Sequence, residues 1–461
     1  VKKTSLRSLA LLVVSIMFVS MMAACGTNSN NNENSSSSEA TETASASASA
    51  SESASASPAE EVKLKMFVHY TSDDEKAQFD YAMAEMKKIM PNVTLDIDVM
   101  PQDSGAKLKT YFATGSLPDI FEVSTSDIAT GIASNNIIPL DDYINKFNLA
   151  DQLSPTGVSL LSQQDGHTWG MPAANTNFAV IFVNKTLFEQ AGAKIPENYQ
   201  ELLDAGKKLI EQGTVPLGIW LKETWPALQL FDMAAIPENP KGMTDLDING
   251  TAKGSDPAFV NAANKIQELA KEGLISKDAF TYDYNSAVAD FESGKTAMLM
   301  VGNWMTQEIG DKLGDGNVAV LLPDVFADAA NVQAVKDAGV ISGGGFIGGY
   351  AVSANSKHKE IAAEYAVQLA LKNAEGRTVK TGEFNTLFKN PPASEKPENA
   401  LQKEVSSILT TVKSTTAMGW AFQDNKIQTD LGGEVQKLYS GVYKPEEFAK
   451  NVDAILEKYR K

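Results

Sequence analysis

The chain has 461 residues, a formal net charge of −18 and a single cysteine. So acidic a surface repels nucleic acid and anionic lipid headgroups, which excludes nucleic acid as a partner without requiring a cationic ligand. One thiol, Cys25, excludes a disulfide, a cysteine-based zinc site and a Cys–His catalytic pair within the folded part.

Lys2, Lys3 and Arg7 form a positive amino-terminal region, and residues 9–22 are an apolar stretch too short and too early for an ordinary spanning helix. Met22-Ala23-Ala24-Cys25 follows and resembles a bacterial lipobox, with Met22 where Leu is usual. The resemblance implies a signal peptide over 1–24, cleavage before Cys25 and lipid on its thiol. Residues 25–60 are dominated by Ser, Ala, Asn, Thr and Glu without apolar periodicity, the composition of a disordered linker. Such a linker reaches about 30–35 Å, enough to hold a domain off a membrane. A cell-surface protein on the outer face of the cytoplasmic membrane, in the manner of Gram-positive bacteria, is expected.

About 400 residues remain, enough for two domains. Alternation predicts a strand over 62–68. Phe79, Met83, Met86 and Met90 fall at helical spacing and Pro91 closes that helix. A second alternating strand covers 93–99, a helix 107–113 and a short strand 119–123. Strand, helix, strand is the opening of an α/β domain with a parallel sheet.

Leu108-Lys109-Thr110-Tyr111-Phe112-Ala113-Thr114-Gly115 with Leu117-Pro118-Asp119-Ile120-Phe121 resembles the first block of the bacterial family 1 extracellular solute-binding proteins, the receptors of sugar ABC importers. Further blocks keep that family's order. They are residues 138–143, 166–172 (with His167 where Lys is usual), 182–192, 291–298 with Gly302-Asn303-Trp304, and 348–353 with Ser356-Lys357. The resemblance runs from about residue 62 to about 375. It implies a two-lobed periplasmic-binding-protein-like fold of type II, each lobe a mixed, mostly parallel sheet flanked by helices, with ligand in the cleft between. Lobe 1 would be 61–174 with 321–373, and lobe 2 would be 175–320 with 374–461. It further implies a monomer that hands a carbohydrate to ABC permease subunits, without cofactor. A receptor feeding a sensor kinase, and a binder of another polar solute, remain open alternatives.

A sugar site pairs aromatic plates with short side chains that both donate and accept. By resemblance Trp304, after Asn303, occupies a sugar-stacking position. Trp220 and Trp225 flank a Lys-Glu-Thr turn and, like Trp420, fit either cleft or core. Asn175, Thr176 and Asn177 fall where the chain should first cross between lobes, and suit hydroxyl recognition or an Asx turn. Ser126 and Asp127 follow a strand, where ligand contact and helix capping are both open. Tyr70 ends the first strand and is a further candidate.

Gly343 to Gly348 spell G-x-G-x-x-G, but a strand follows instead of a helix, so a dinucleotide fold is rejected. The glycines would let backbone approach the cleft, with Gly345 and Phe346 against ligand. Asp245, Asp247, Asn249 and Asp256 have the spacing of a weak calcium-loop candidate, against which Lys253 takes a liganding place and the twelfth residue is not Glu. The three histidines are scattered without H-E-x-x-H, and no G-x-S-x-G occurs, so an enzyme is not expected.

Overall fold

The computed structural model describes residues 60–460, apart from 71–72, 102–104, 155–156, 159, 162, 164, 175, 347 and 384–386. In β1 (Val62–Val68) the alternation turns Val62, Leu64 and Met66 inward and leaves Lys63 and Lys65 exposed. β2 (Val93–Val99) lies parallel to it in unbroken register, Val62 opposite Val93 through Val68 opposite Val99. The helix Asp73–Ile89 joins them and buries Phe79, Ala82 and Met86 against the sheet. β3 (Ile120–Val123) adds in parallel on the other side of β1.

The remaining strands are β4 (Met171–Pro172), β5 (Ala179–Asn184), β6 (Val215–Gly218), β7 (Thr296–Gly302), β8 (Val318–Leu321), β9 (Val340–Ile341), β10 (Gly349–Val352) and β11 (Ser414–Thr415). They form one sheet of order β2-β1-β3-β10-β4, a second of order β6-β7-β5-β8, and the pair β11-β9. β5 and β7 are buried along their whole length, which explains their near-continuous apolar runs. Both sheets are mixed, and less parallel than expected. β5 and β10 each arrive directly from a crossing between sheets and run antiparallel to both of their neighbours.

Each sheet has its own core. Leu64, Met66, Phe79, Tyr350 and Val352 anchor the first. Ile181, Leu228, Phe231, Phe259, Met300 and Phe448 anchor the second. Each such side chain contributes about 1.5–3 kcal/mol by leaving water.

The chain crosses between the sheets along 173–178, 342–348 and roughly 389–399. The first two crossings pair with each other: Phe178 bridges Gly343, Ala179 N donates to Ser342 O at 2.8 Å, and Gly344 N donates to Asn177 O at 2.7 Å. The expected return at residue 321 is corrected by this arrangement. Val325 and Phe326 pack in the core of the second sheet, and Ile341 packs beside Phe182. Conversely, Ala374 and Leu387 still belong to the first core, so the last departure comes later than residue 374. Among the described residues no helix is long and apolar enough to cross a membrane. Cys25 and the expected linker lie outside the described residues.

Candidate functional site

β6 and β7 are parallel neighbours, so their carboxyl ends open on the same edge of the second sheet, where open α/β sheets hold ligands. Trp220 follows β6, Trp304 follows β7, Trp225 opens the helix Trp225–Ala235, and Trp420 comes from the segment after β11. These four indoles meet. Trp225 lies 4.7 Å from Trp420 and 5.0 Å from Trp220, both edge to face, and 6.0 Å from Trp304. Trp304 and Trp420 are 6.0 Å apart.

Trp220 is fully buried and supports the cluster from below, edge-on to Tyr284 as well. Trp225, Trp304 and Trp420 are half-buried. Trp304 Nε1 donates to the Tyr284 hydroxyl at 3.1 Å, and Trp225 Nε1 donates to Glu223 Oε2 at 3.0 Å. Burial pushes the Glu223 carboxyl up. With these two indole N–H groups engaged inside the protein, Trp225 and Trp304 offer a partner aromatic surface rather than donors. Gly302 is required here: a Cβ would stand 1.8 Å from the folded-back Trp304 ring.

Asn303 braces the end of the first crossing. Its Oδ1 accepts from Phe178 N at 2.9 Å and its own N–H donates to Phe178 O at 3.0 Å, so its side chain extends the β5–β7 ladder. Asn177 is buried and its Oδ1 has no partner among the described residues. Thr176 adjoins it, and Asn175 lies outside the described residues. Gly343 and Gly344 have φ of 111° and 100°, and a Cβ on either would collide with Phe178 Cα or Thr415 Oγ1. These glycines serve the crossing of two hinge segments. Gly345 (φ 74°) has open space beside it, while Phe346 is buried in the first lobe, where its carbonyl accepts from Thr125 Oγ1 at 3.0 Å.

Other candidates are engaged within the first lobe. Tyr70 packs edge-on against Phe79 and donates to Asp80 at 2.7 Å. The helix Thr125–Ala133 is capped by Ser124, whose Oγ accepts from Asp127 N while Asp127 Oδ2 accepts from Ser124 N. Asp127 is therefore the third-position partner of a capping box, and Ser126 is buried beside Ser124. The strand ends of this lobe also carry a pair that the sequence reading passed over. His69 Nδ1 stands 3.2 Å from Glu122 Oε2, and His69 N donates to the same oxygen. Burial and the neighbouring imidazole act in opposite directions on Glu122, and its carboxyl ends below the usual range. Only the parallel pairing of β1 with β3 brings these two together, and nothing local signals it.

The loop with calcium spacing is filled by the protein itself. Arg460 donates to Asp247 O at 2.9 Å, to Ala252 O at 2.6 Å and to Asp245 O at 2.6 Å. Asp245 and Asp247 accept from Thr251, Ile248, Gln423 and Asp424 backbone N–H groups, Asn249 donates to Gln423, and Asp256 accepts from Lys253 N. Among the described residues no three His, Cys, Asp or Glu side chains converge as metal ligands. Arg460→Ala is expected to lower the thermal midpoint by roughly 2–3 kcal/mol worth of lost charged hydrogen bonds. Millimolar calcium should leave the wild-type midpoint where it is. A calcium-dependent rise would mean that the guanidinium yields the loop to a metal.

Residues 71–373 match the family model described as bacterial extracellular solute-binding protein. An uncharacterised ABC transporter extracellular-binding protein of Pyrococcus horikoshii is 23% identical over 52% of this chain and 56% of its own length. A probable sugar-binding periplasmic protein of Rhizobium meliloti is 23% identical over 52% of this chain and 58% of its own. The chain thus spans little more than half the length of these curated relatives. A solved structure from a study of xylan utilisation by Caldanaerobius polysaccharolyticus superposes with a TM-score of 0.75 at 24% identity, covering 85% of this chain and 99% of that one. At that identity the likeness establishes the two-lobed fold.

Proposed function

Because the chain belongs to the bacterial extracellular solute-binding protein family, whose members are receptors and not enzymes, we propose that it captures a sugar or short oligosaccharide between its lobes and delivers it to an ABC permease. The observation that carries this reading is the convergence of Trp225, Trp304 and Trp420 at the strand ends of the second lobe. Aromatic faces suit the C–H faces of sugar rings, and relatives whose names include sugar binding support the choice of ligand class. Asn177, whose Oδ1 on the first crossing has no partner among the described residues, would take a hydroxyl on this reading.

Closure would follow because ligand touches both lobes only in the closed form, which shifts the population towards it. Crossings that pair with one another suit rigid-body rotation, since each segment bends only slightly. Energy for transport would come from a separate ATPase. On this reading lipid on Cys25 would hold the protein at the outer face of the membrane, with the acidic surface limiting adhesion to anionic headgroups.

Intrinsic fluorescence titrated with mono- and oligosaccharides tests the assignment directly, since half-exposed tryptophans line the proposed site. A saturable change at micromolar sugar is the expected result. Silence towards every sugar, with a folded protein, would remove the carbohydrate assignment and leave another polar solute as ligand.

A further inference from the structure

Beyond the aromatic cluster, Trp304 also borders a small cavity of about 30 Å³ where the lobes meet. Asn303, Trp304 and Gln307 line it from the end of β7, Gly382 and Glu383 from the first lobe, and Gln402 from the helix Ala400–Leu409. The lobes are joined here by Gln402 Nε2, which donates to Gly382 O.

Two of these side chains carry a buried acceptor for which the described residues supply no donor. Glu383 is 7% exposed. Its Oε2 accepts from Arg377 Nε at 2.7 Å, while its Oε1 has no partner among the described residues. Gln307 is 5% exposed. Its Nε2 donates to Asp311 at 2.7 Å, which fixes the amide orientation and leaves Oε1 without a donor among the described residues. That oxygen faces Gly382, where a Cβ would come within 2.8 Å of it. Leaving such groups unpaired costs about 1–3 kcal/mol each, so the arrangement calls for an occupant that donates. The volume admits one or two water-sized groups and no ring.

We propose that this cavity is a side pocket of the binding cleft for a small hydrogen-donating head, of hydroxymethyl or ammonium size, carried by the ligand whose ring lies on the tryptophan cluster. The proposal rests on the sugar reading for the ring and on Glu383 and Gln307 for the head. An ammonium head can donate to both oxygens and a hydroxymethyl to one of them, whereas a carboxylate, phosphate or sulfate group there would meet acceptors on both sides. A ring without an exocyclic group would leave both unpaired. Glu383 and Gln307 are thus the residues that set specificity at this end of the site.

The test compares glucose with xylose, which lacks its one exocyclic hydroxymethyl group, and cellobiose with xylobiose, which lacks one on each ring, by calorimetry on the wild type, Glu383→Gln and Gln307→Met. The member carrying the head should bind about tenfold tighter to the wild type, and that ratio should fall towards one in both variants. A second arm needs no sugar. Methylammonium chloride should raise the wild-type thermal midpoint above that in sodium chloride of equal strength, and Glu383→Gln should abolish the difference. Sugar binding with an unchanged ratio in the variants would overturn the proposal and leave the cavity to water. Silence towards sugars with a retained methylammonium effect would reject the sugar reading while keeping the pocket. Silence in both arms would overturn both.

Discussion

Trp225→Ala is expected to weaken sugar binding by about 100-fold, more than removal of any other single indole. Trp225 touches the other three tryptophans, at 4.7, 5.0 and 6.0 Å, whereas Trp304 and Trp420 each touch two. Its loss removes one plate and also the wall that holds the Trp304 and Trp420 rings upright. It further strips Glu223 of its indole donor in a site where burial already raises that carboxyl. An aromatic contact of this kind is worth about 0.5–1.5 kcal/mol beyond its area. With the area term and the loosening of two neighbours, about 3 kcal/mol of binding is reasonable, close to a hundredfold. Trp304→Ala deletes one plate and should cost closer to tenfold. Calorimetric titration of both variants, with circular dichroism to confirm the fold, gives the comparison. Equal losses would mean that the rings act independently, and an unaffected Trp225→Ala would place the sugar elsewhere.

How much of this was legible in the sequence depends on the range of each interaction. β1, β2 and the helix between them appear where alternation and helical spacing put them, because one buried face sets a local period. The return to the first lobe was misplaced at 321 because residues 322–341 have no such period. A turn of 3-10 helix, a largely exposed helix at Val332–Ala338 and two residues of β9 carry the chain along the second lobe instead. The tryptophans were legible as residues at segment ends. Which of them is buried is decided by Tyr284 and by neighbours far away in the chain, as the contact of Trp225 with Trp420 shows. The calcium spacing from Asp245 to Asp256 was legible too, but not Arg460, which reaches the same carbonyl oxygens from the other end of the domain.

The hinge itself carries the other large expectation. Asp232 is fully buried, and its Oδ2 accepts from Ser342 Oγ at 2.5 Å and Thr416 Oγ1 at 2.6 Å, while Oδ1 accepts from Met243 N at 2.6 Å. Gln229 Nε2 donates to the same Ser342 hydroxyl at 2.6 Å, and Gln229 Oε1 accepts from Gly419 N. Ser342 lies on the second crossing and Thr416 just past β11, so one carboxylate ties both to the helix Trp225–Ala235. Asp232→Ala leaves three buried donors without an acceptor and should cost about 3–5 kcal/mol of stability.

The pH dependence has a defined sign. Burial pushes Asp232 up from its ordinary 3.8 to about 6, against the opposing pull of Ser342, Thr416 and Met243, none of which carries charge. The folded protein therefore keeps this proton where the unfolded chain has already lost it. As pH rises from about 4 to about 6, this group's contribution to stability declines, by about 3 kcal/mol in total, and it stays at that level above. Other carboxylates, such as Asp98 and Glu434, are held below their ordinary values and act in the opposite direction, so the whole-protein profile hides the effect. The difference between wild type and Asp232→Asn isolates it. The two should be similar near pH 4, and the variant should gain steadily on the wild type up to about pH 6–7. A gap that is constant across that range would mean that Asp232 does not titrate there. The hinge tie would then be an ionised carboxylate held entirely by its three hydrogen bonds.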